Sequence, residues 1–348
     1  METLWFIIVA FMLAMYVILD GFDLGAGVIH LLVTKSEKER ETIIKAIGPV
    51  WDGNEVWLLA AGGALYSAFP LLYASSFSGF YLPLMIVLWL LMLRGLGIEL
   101  RHQIHHPMWV RFWDTVFSFA SILLTIFFGA ALGNVVRGVP LNKDEFFFEP
   151  LWTTFTVVPE AGILDWFTVS MGLVALFTLT THGANYIAMK TEGEIQVRSR
   201  KVSRLAWLGT LLTSVFAFTA TWYIHPEIWE NYSLHLLGFT FPVVGLLGLF
   251  GTYFYSIKHQ DTRAFLCSSL FIGSMLASTA FGLYPKVLPS STNPEYTLTI
   301  YNTAAQSYGL SVGLAWWLLG ILFAGGYFVF VYRAFRGKVS TTDEYGGD

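Results

Sequence analysis

Nine long apolar stretches divide the chain, at about residues 4–32, 50–73, 77–100, 112–137, 163–189, 205–225, 234–257, 264–284 and 308–332. Each approaches or exceeds the ~20 residues that an α-helix needs to cross the hydrocarbon of a bilayer. Polar residues do not alternate with apolar ones inside them, which argues against a membrane β-barrel. Short charged segments and two longer polar connections separate the stretches, with no room for a soluble domain. The pattern predicts an all-α polytopic membrane protein with nine transmembrane helices.

Composition agrees. Hydrophobic residues make up 55% of the chain and charged residues 13%, with a mean hydropathy of +0.60, against roughly 25% charged residues in an ordinary soluble domain. Aromatic residues reach 17%, and many fall at the ends of the apolar stretches, where amphipathic rings sit at headgroup level. The opening METLWFIIVAFMLAMY has no basic segment ahead of it and stays apolar beyond the length of a signal peptide, so it reads as a permanent span.

Charge sets the orientation. With the amino terminus outside, the inner loops and tail hold 16 of the 20 Lys and Arg residues; Arg137, Lys143 and Lys286 lie outside and Arg94 within the third stretch. Cytoplasmic loops carry the Lys/Arg excess, so the expectation is an outer amino terminus and a cytoplasmic carboxyl terminus. The connections 138–162 and 285–307 are then outer loops.

The first and fifth stretches echo one another: Asp20-Gly-x-Asp23 lines up with His182-Gly-x-Asn185, each ahead of a charged loop. Weak internal similarity of this kind marks repeats in membrane proteins. It divides the chain into a first four-helix unit (1–137), an outer loop (138–162), a second four-helix unit (163–284), an outer loop (285–307), and a ninth, peripheral helix with a cytoplasmic tail (308–348). A chance match of two glycine-containing helix ends is the competing reading.

Carboxylates inside lipid-length segments carry the candidate chemistry. Asp20 and Asp23 are three apart, so they share a helix face, as do Asp52 and Glu55 at the start of the second stretch. At ~1.5 Å per residue both pairs fall in the cytoplasmic half. The third stretch adds Glu99 and Arg94, the latter a counter-ion for one of these acids. An ionisable residue at this depth is costly and by default functional. Snorkelling or helix capping is the alternative for any single acid.

Other features narrow the class. The lone Cys267 excludes an internal disulfide, a cysteine zinc site and an iron–sulfur cluster within the chain. No glycine-rich nucleotide loop occurs, and the glycines of AAGGALYSAF and GLLGLFGTYF read as helix-packing positions. Of eight histidines only His182 lies well inside a stretch, where a hydrogen-bonded bundle residue is the expectation and haem ligation the lesser one. An ion-coupled secondary transporter with a mid-membrane acidic site fits these residues as an alternative.

Four segments resemble subunit II of the cytochrome bd-type quinol oxidases: LDGFDLGAG (19–27), GPVWDGNEVWLLAAGGALYSAFP (48–70), FSGFYLPL (77–84) and LPSSTNPEYTLTIYNTAAQ (288–306). The resemblance covers essentially the whole chain. It implies a heterodimer with subunit I, which binds haems b and d while the complex oxidises quinol and reduces oxygen to water in a bacterial or archaeal plasma membrane, with no redox centre and no metal on this chain. It also implies that Asp20 and Asp52 belong to a cytoplasmic proton route, with Trp51 supporting the haem site; Asp23, Glu55 and Glu99, at the same depth, are expected to support that route. A structural quinone or lipid on this chain and a small single-helix accessory subunit are compatible with it. Nothing points to nucleic acid.

Overall fold

A computed structural model describes residues 1–339; the end of the expected tail, 340–348, lies outside the described residues. Its helices are α1 (Glu2–Val33), α2 (Glu37–Ile47), α3 (Trp51–Ala68), α4 (Pro70–Gly79), α5 (Tyr81–Glu99), α6 (Pro107–Arg137), α7 (Trp166–Lys190), α8 (Gly193–Ile224), α9 (Ile228–Leu234), α10 (Thr240–Ile257), α11 (Asp261–Leu283) and α12 (Ser307–Ala334). A small hairpin pairs β1 (Lys286–Leu288) antiparallel with β2 (Leu298–Thr299).

Eight of the described helices are long and apolar enough to cross a membrane. The remaining predicted stretch, 50–73, forms α3, 18 residues with two acids in its first turns, and stops at Phe69 before continuing as α4. Pro70 explains the stop: it lacks an N–H and crowds the preceding residue out of helical geometry, and Phe69 sits at φ −134°, ψ 65°. Pro49 lies in the turn before α3. Elsewhere helices outrun the apolar stretches. α8 begins at Gly193, twelve residues before 205, because a Lys/Arg-rich segment is no obstacle to helix in the aqueous phase. α2 is such an aqueous helix, closed by a capping box between Ser36 and Glu39.

α1 packs on α3 and α6, and α5 on α6; α7 packs on α8 and α11, and α10 on α11. Between these groups α1 crosses α7, α6 lies on α7, and α1 on α11. The α1/α7 crossing needs glycine on both sides. A Cβ on Gly25 would fall 1.9 Å from the Leu179 carbonyl oxygen, and one on Gly183 would fall 2.3 Å from the Gly25 carbonyl carbon. The GLLGLFGTYF glycines behave as expected, since Gly248 is closed by Phe271 and the Cys267 carbonyl, but Gly62 and Gly63 face open space. α12 is peripheral, burying only Leu310 and Val331, and lines a cleft of about 500 Å³ together with α1 and α3.

The two long connections and the amino terminus gather at one end. Val139 exchanges backbone hydrogen bonds with Pro289 and Ser291, Thr292 Oγ1 donates to the Leu141 carbonyl at 2.7 Å, and Thr3 pairs with Tyr284. These loops bury Val139, Leu141, Phe147, Leu288, Leu298 and Ile300 against Trp5, Ala68 and Leu310. At the opposite end α2 closes over Phe22, Ile29 and Ile187.

Candidate functional site

The acids at 20, 23 and 55 meet around one arginine. α1 is fixed against α3 and α6 by its apolar face, which turns Asp20 and Asp23 inward, 0% and 1% exposed. α5 brings Arg94, itself 0% exposed, between α1 and α3. Its Nη1 donates to both oxygens of Asp20 at 2.7 Å, and its Nη2 donates to Glu55 Oε2 at 2.7 Å. One guanidinium thus serves two carboxylates from two helices through the forked geometry that lysine lacks. Glu55 is the partly exposed member of the trio.

Asp23 has a different partner. Its Oδ2 accepts from Asn54 Nδ2 at 2.7 Å, and Asn54 Oδ1 in turn accepts from the Tyr332 hydroxyl at 2.9 Å. Asp23 Oδ1 is buried without a hydrogen-bond partner among the described residues. Tyr16, one turn before Asp20, is buried beside it. Trp51 is half-buried with its ring 5.9 Å from Arg94 Cζ, within cation–π range.

Asp52 and Glu99 do not join this cluster by direct contact. Both are exposed, Asp52 at the first turn of α3 and Glu99 at the last of α5. Residue spacing sets Asp52 on the face of Glu55, but Asp52 is exposed whereas Glu55 is half-buried.

His182 is held as a packing histidine. Nε2 lies 2.9 Å from the Ile18 carbonyl, Nδ1 lies 2.7 Å from Ser268 Oγ, and the ring stacks on Phe265 at 4.8 Å. A carbonyl only accepts, so Nε2 carries a proton. With both nitrogens engaged and a face covered, His182 does not fit a haem ligand.

Two further clusters were not read from the sequence. Buried Asp114 on α6 accepts from His30 Nε2 at 2.8 Å and from Arg101 Nε at 2.7 Å, and pairs with Arg40 Nε at 2.9 Å, tying α1, α2 and the α5 end to α6. An acid within the stretch 112–137 was the available signal. At the other end Arg137 donates to Glu149 Oε1 and Asn134 Oδ1 at 2.7 Å, to the Gly162 carbonyl at 3.0 Å, and to Asp165, the N-cap of α7. Glu149 is fully buried, and that burial pushes its carboxyl up to about 8 despite Arg137. Asn54 and Tyr332 were also missed, being neutral at positions where amides and tyrosines are commonplace.

A bundle of membrane-length helices closed around an arginine and its carboxylates is a multi-pass membrane protein with a buried charge network. The sequence profile of cytochrome bd terminal oxidase subunit II matches residues 1–335. The chain belongs to this family. It is 30% identical to the cytochrome bd-I ubiquinol oxidase subunit 2 of Escherichia coli K12, over 90% of this chain and 88% of that one. It is also 30% identical to the cytochrome bd ubiquinol oxidase subunit 2 of Bacillus subtilis 168 (98% and 97%) and to a probable cytochrome oxidase subunit 2 of Haemophilus influenzae (97% and 95%). Its fold matches a chain of the bd oxidase from Geobacillus thermodenitrificans with a TM-score of 0.75 at 16% identity, covering 96% and 98% of the two chains.

Proposed function

We propose that the chain is the redox-inactive subunit of a quinol:oxygen oxidoreductase in a bacterial plasma membrane, and that it conducts protons from the cytoplasm to the site of oxygen reduction. Subunit I is its partner in a heterodimer, binds haems b and d, oxidises quinol and reduces oxygen to water. Taking those protons from inside while quinol releases its own outside generates proton motive force in aerobic respiration. α3 supplies the ninth span, the amino terminus and the clasped loops face outward, and the carboxyl end of α12 faces the cytoplasm. The units 1–137 and 163–284 form a two-fold repeat. In its support, the pairs α1/α6, α5/α6 and α1/α3 of the first unit correspond to α7/α11, α10/α11 and α7/α8 of the second.

The observation that carries the proton route is the Asp20–Arg94–Glu55 bridge. Asp20 is sealed inside, Glu55 reaches the surface of the chain, and both sit on one guanidinium, so a proton neutralising either acid changes the hold on the other. Asp52 and Glu99 extend the route as exposed acids at helix ends, and Trp51 shelters Arg94. Subunit I packs on the sparsely covered α12 and the adjoining flanks of α3 and α5, where a structural quinone or lipid and a small accessory helix also find apolar surface. The transporter alternative has no support from the family.

The test is Asp20→Asn in the purified oxidase complex. The amide keeps the shape but carries no transferable proton, so quinol-driven oxygen consumption falls steeply while the reduced-minus-oxidised haem spectrum stays intact. Parental turnover and parental acidification of the outside, at full haem content, would mean that these acids only hold helices together.

A further inference from the structure

Asn54 is wholly buried, and each end of its amide meets a different kind of partner. Nδ2 donates to Asp23 Oδ2 at 2.7 Å and to the Leu19 carbonyl at 3.3 Å, whereas Oδ1 accepts from the Tyr332 hydroxyl. The two ends of an amide are nearly isosteric, so its orientation is decided by what faces each end. Turned over, Asn54 would set its oxygen against a carboxylate and a carbonyl, both acceptors, and its NH₂ against the tyrosine. The two acceptors, Asp23 and the Leu19 carbonyl, therefore fix the orientation in which Asp23 receives a hydrogen bond, and the Tyr332 hydroxyl anchors the opposite end of the amide.

The two aspartates of α1 then differ in what they can do. Asp20 has both oxygens on Arg94 Nη1, whereas Asp23 has Oδ2 held and Oδ1 open. The charged and titratable groups around Asp23 are Asp20 on its own helix, Glu55 on α3, Arg94 on α5, Tyr186 on α7 and Tyr332 on α12. Of these only Tyr332 touches the amide that holds Asp23. It also comes from α12, the least buried of the eight described membrane-length helices.

We infer that Tyr332 is a positioning residue that acts through Asn54: it holds Asp23 by Oδ2 and so leaves Oδ1 as the atom on which a transiting proton is carried. This rests on the proton route proposed above. The proton adds to Oδ1 as an O–H bond and leaves from the same atom, with no change in the Tyr332 or Asn54 bonds.

The experiment compares Tyr332→Phe, Asn54→Ser and their double variant with Asp23→Asn, all in the purified oxidase complex. Three quantities are read: haem content, oxygen consumption against pH, and the infrared carboxyl band that disappears in Asp23→Asn. Haem content is retained, the band moves in both single variants, and the pH of half-maximal turnover moves with it by about one unit, the scale of a lost hydrogen bond to a carboxylate. Because the two residues act in series, the double variant moves the band no further than the larger single effect. An unmoved band and pH profile in Tyr332→Phe, or additive shifts in the double variant, overturns the inference while leaving the proton route intact. If Tyr332→Phe fails to assemble with haem, Asn54→Ser decides alone, an unmoved band there being contrary. Parental turnover in Asp23→Asn removes Asp23 from the route and the inference with it.

Discussion

Arg94 and Asp20 form a buried pair in which a single guanidinium nitrogen, Nη1, stands 2.7 Å from both carboxylate oxygens. Removing the arginine leaves Asp20 and Glu55 uncompensated in a low-dielectric interior, a loss of about 3–5 kcal/mol, whereas Asp20→Asn leaves Arg94 paired with Glu55. Arg94→Leu is therefore expected to abolish recovery of the haem-containing complex. Arg94→Lys keeps the charge but cannot serve Asp20 and Glu55 together, so it should assemble with a lowered thermal midpoint. Yield by haem absorbance and thermal unfolding of the purified complex check both.

His182→Ala removes two interhelical hydrogen bonds and the stack on Phe265. Interhelical hydrogen bonds in lipid are worth about 0.6–1.7 kcal/mol each, so the bundle should lose roughly 2 kcal/mol. Haem per assembled complex should not change. A spectrum in which one haem disappears would identify His182 as a ligand instead.

The α1/α7 crossing predicts intolerance of a single methyl group. Gly25→Ala places a Cβ 1.9 Å from the Leu179 carbonyl oxygen, inside any permitted contact, and two helix backbones must separate to admit it. Overpacking costs typically about 1–3 kcal/mol. Gly62→Ala, at a glycine with nothing within 4 Å inside the chain, is the matched control. Thermal midpoints should fall for Gly25→Ala and Gly183→Ala and change less for Gly62→Ala.

Glu149 makes stability depend on pH in a direction unusual for a carboxylate. Its folded-state value of about 8 lies above the ordinary 4.5, so between those values the folded chain holds a proton that the unfolded chain has lost. Stability then falls as pH rises through this window and is fullest below its lower edge. The parent should lose more thermal stability between about pH 5 and about pH 9 than Glu149→Gln, which keeps a partner for Arg137 without titrating. Equal losses in the two proteins would remove Glu149 as the cause.

What could be read in the sequence follows the strength of each physical signal. Lipid-length apolar stretches and the acid pairs three residues apart were plain, because burial in hydrocarbon leaves few ways to place a charge. Arg94 could be picked as a counter-ion for the same reason. Helix ends were not legible where the helix leaves the apolar phase, as at Gly193, since hydropathy marks the membrane and not the hydrogen-bonding of the backbone. Asn54 was invisible beside Asp52 and Glu55, because a neutral amide announces no cost. Asp114 carried a signal, but its partners His30, Arg40 and Arg101 come from three separate elements and only folding unites them.

The contact between Tyr332 and Asn54 also has a consequence for biosynthesis. α1, α3 and α5, which hold all three acids and Arg94, leave the ribosome early, while residue 332 follows after every other described helix has been made. Until α12 arrives, the nascent bundle has its charges in place but an unfinished amide at its centre. The last of the described helices thus completes a site laid down by the first, and translation halted before it would yield a chain that is membrane-bound and charged yet without the Tyr332–Asn54 hydrogen bond.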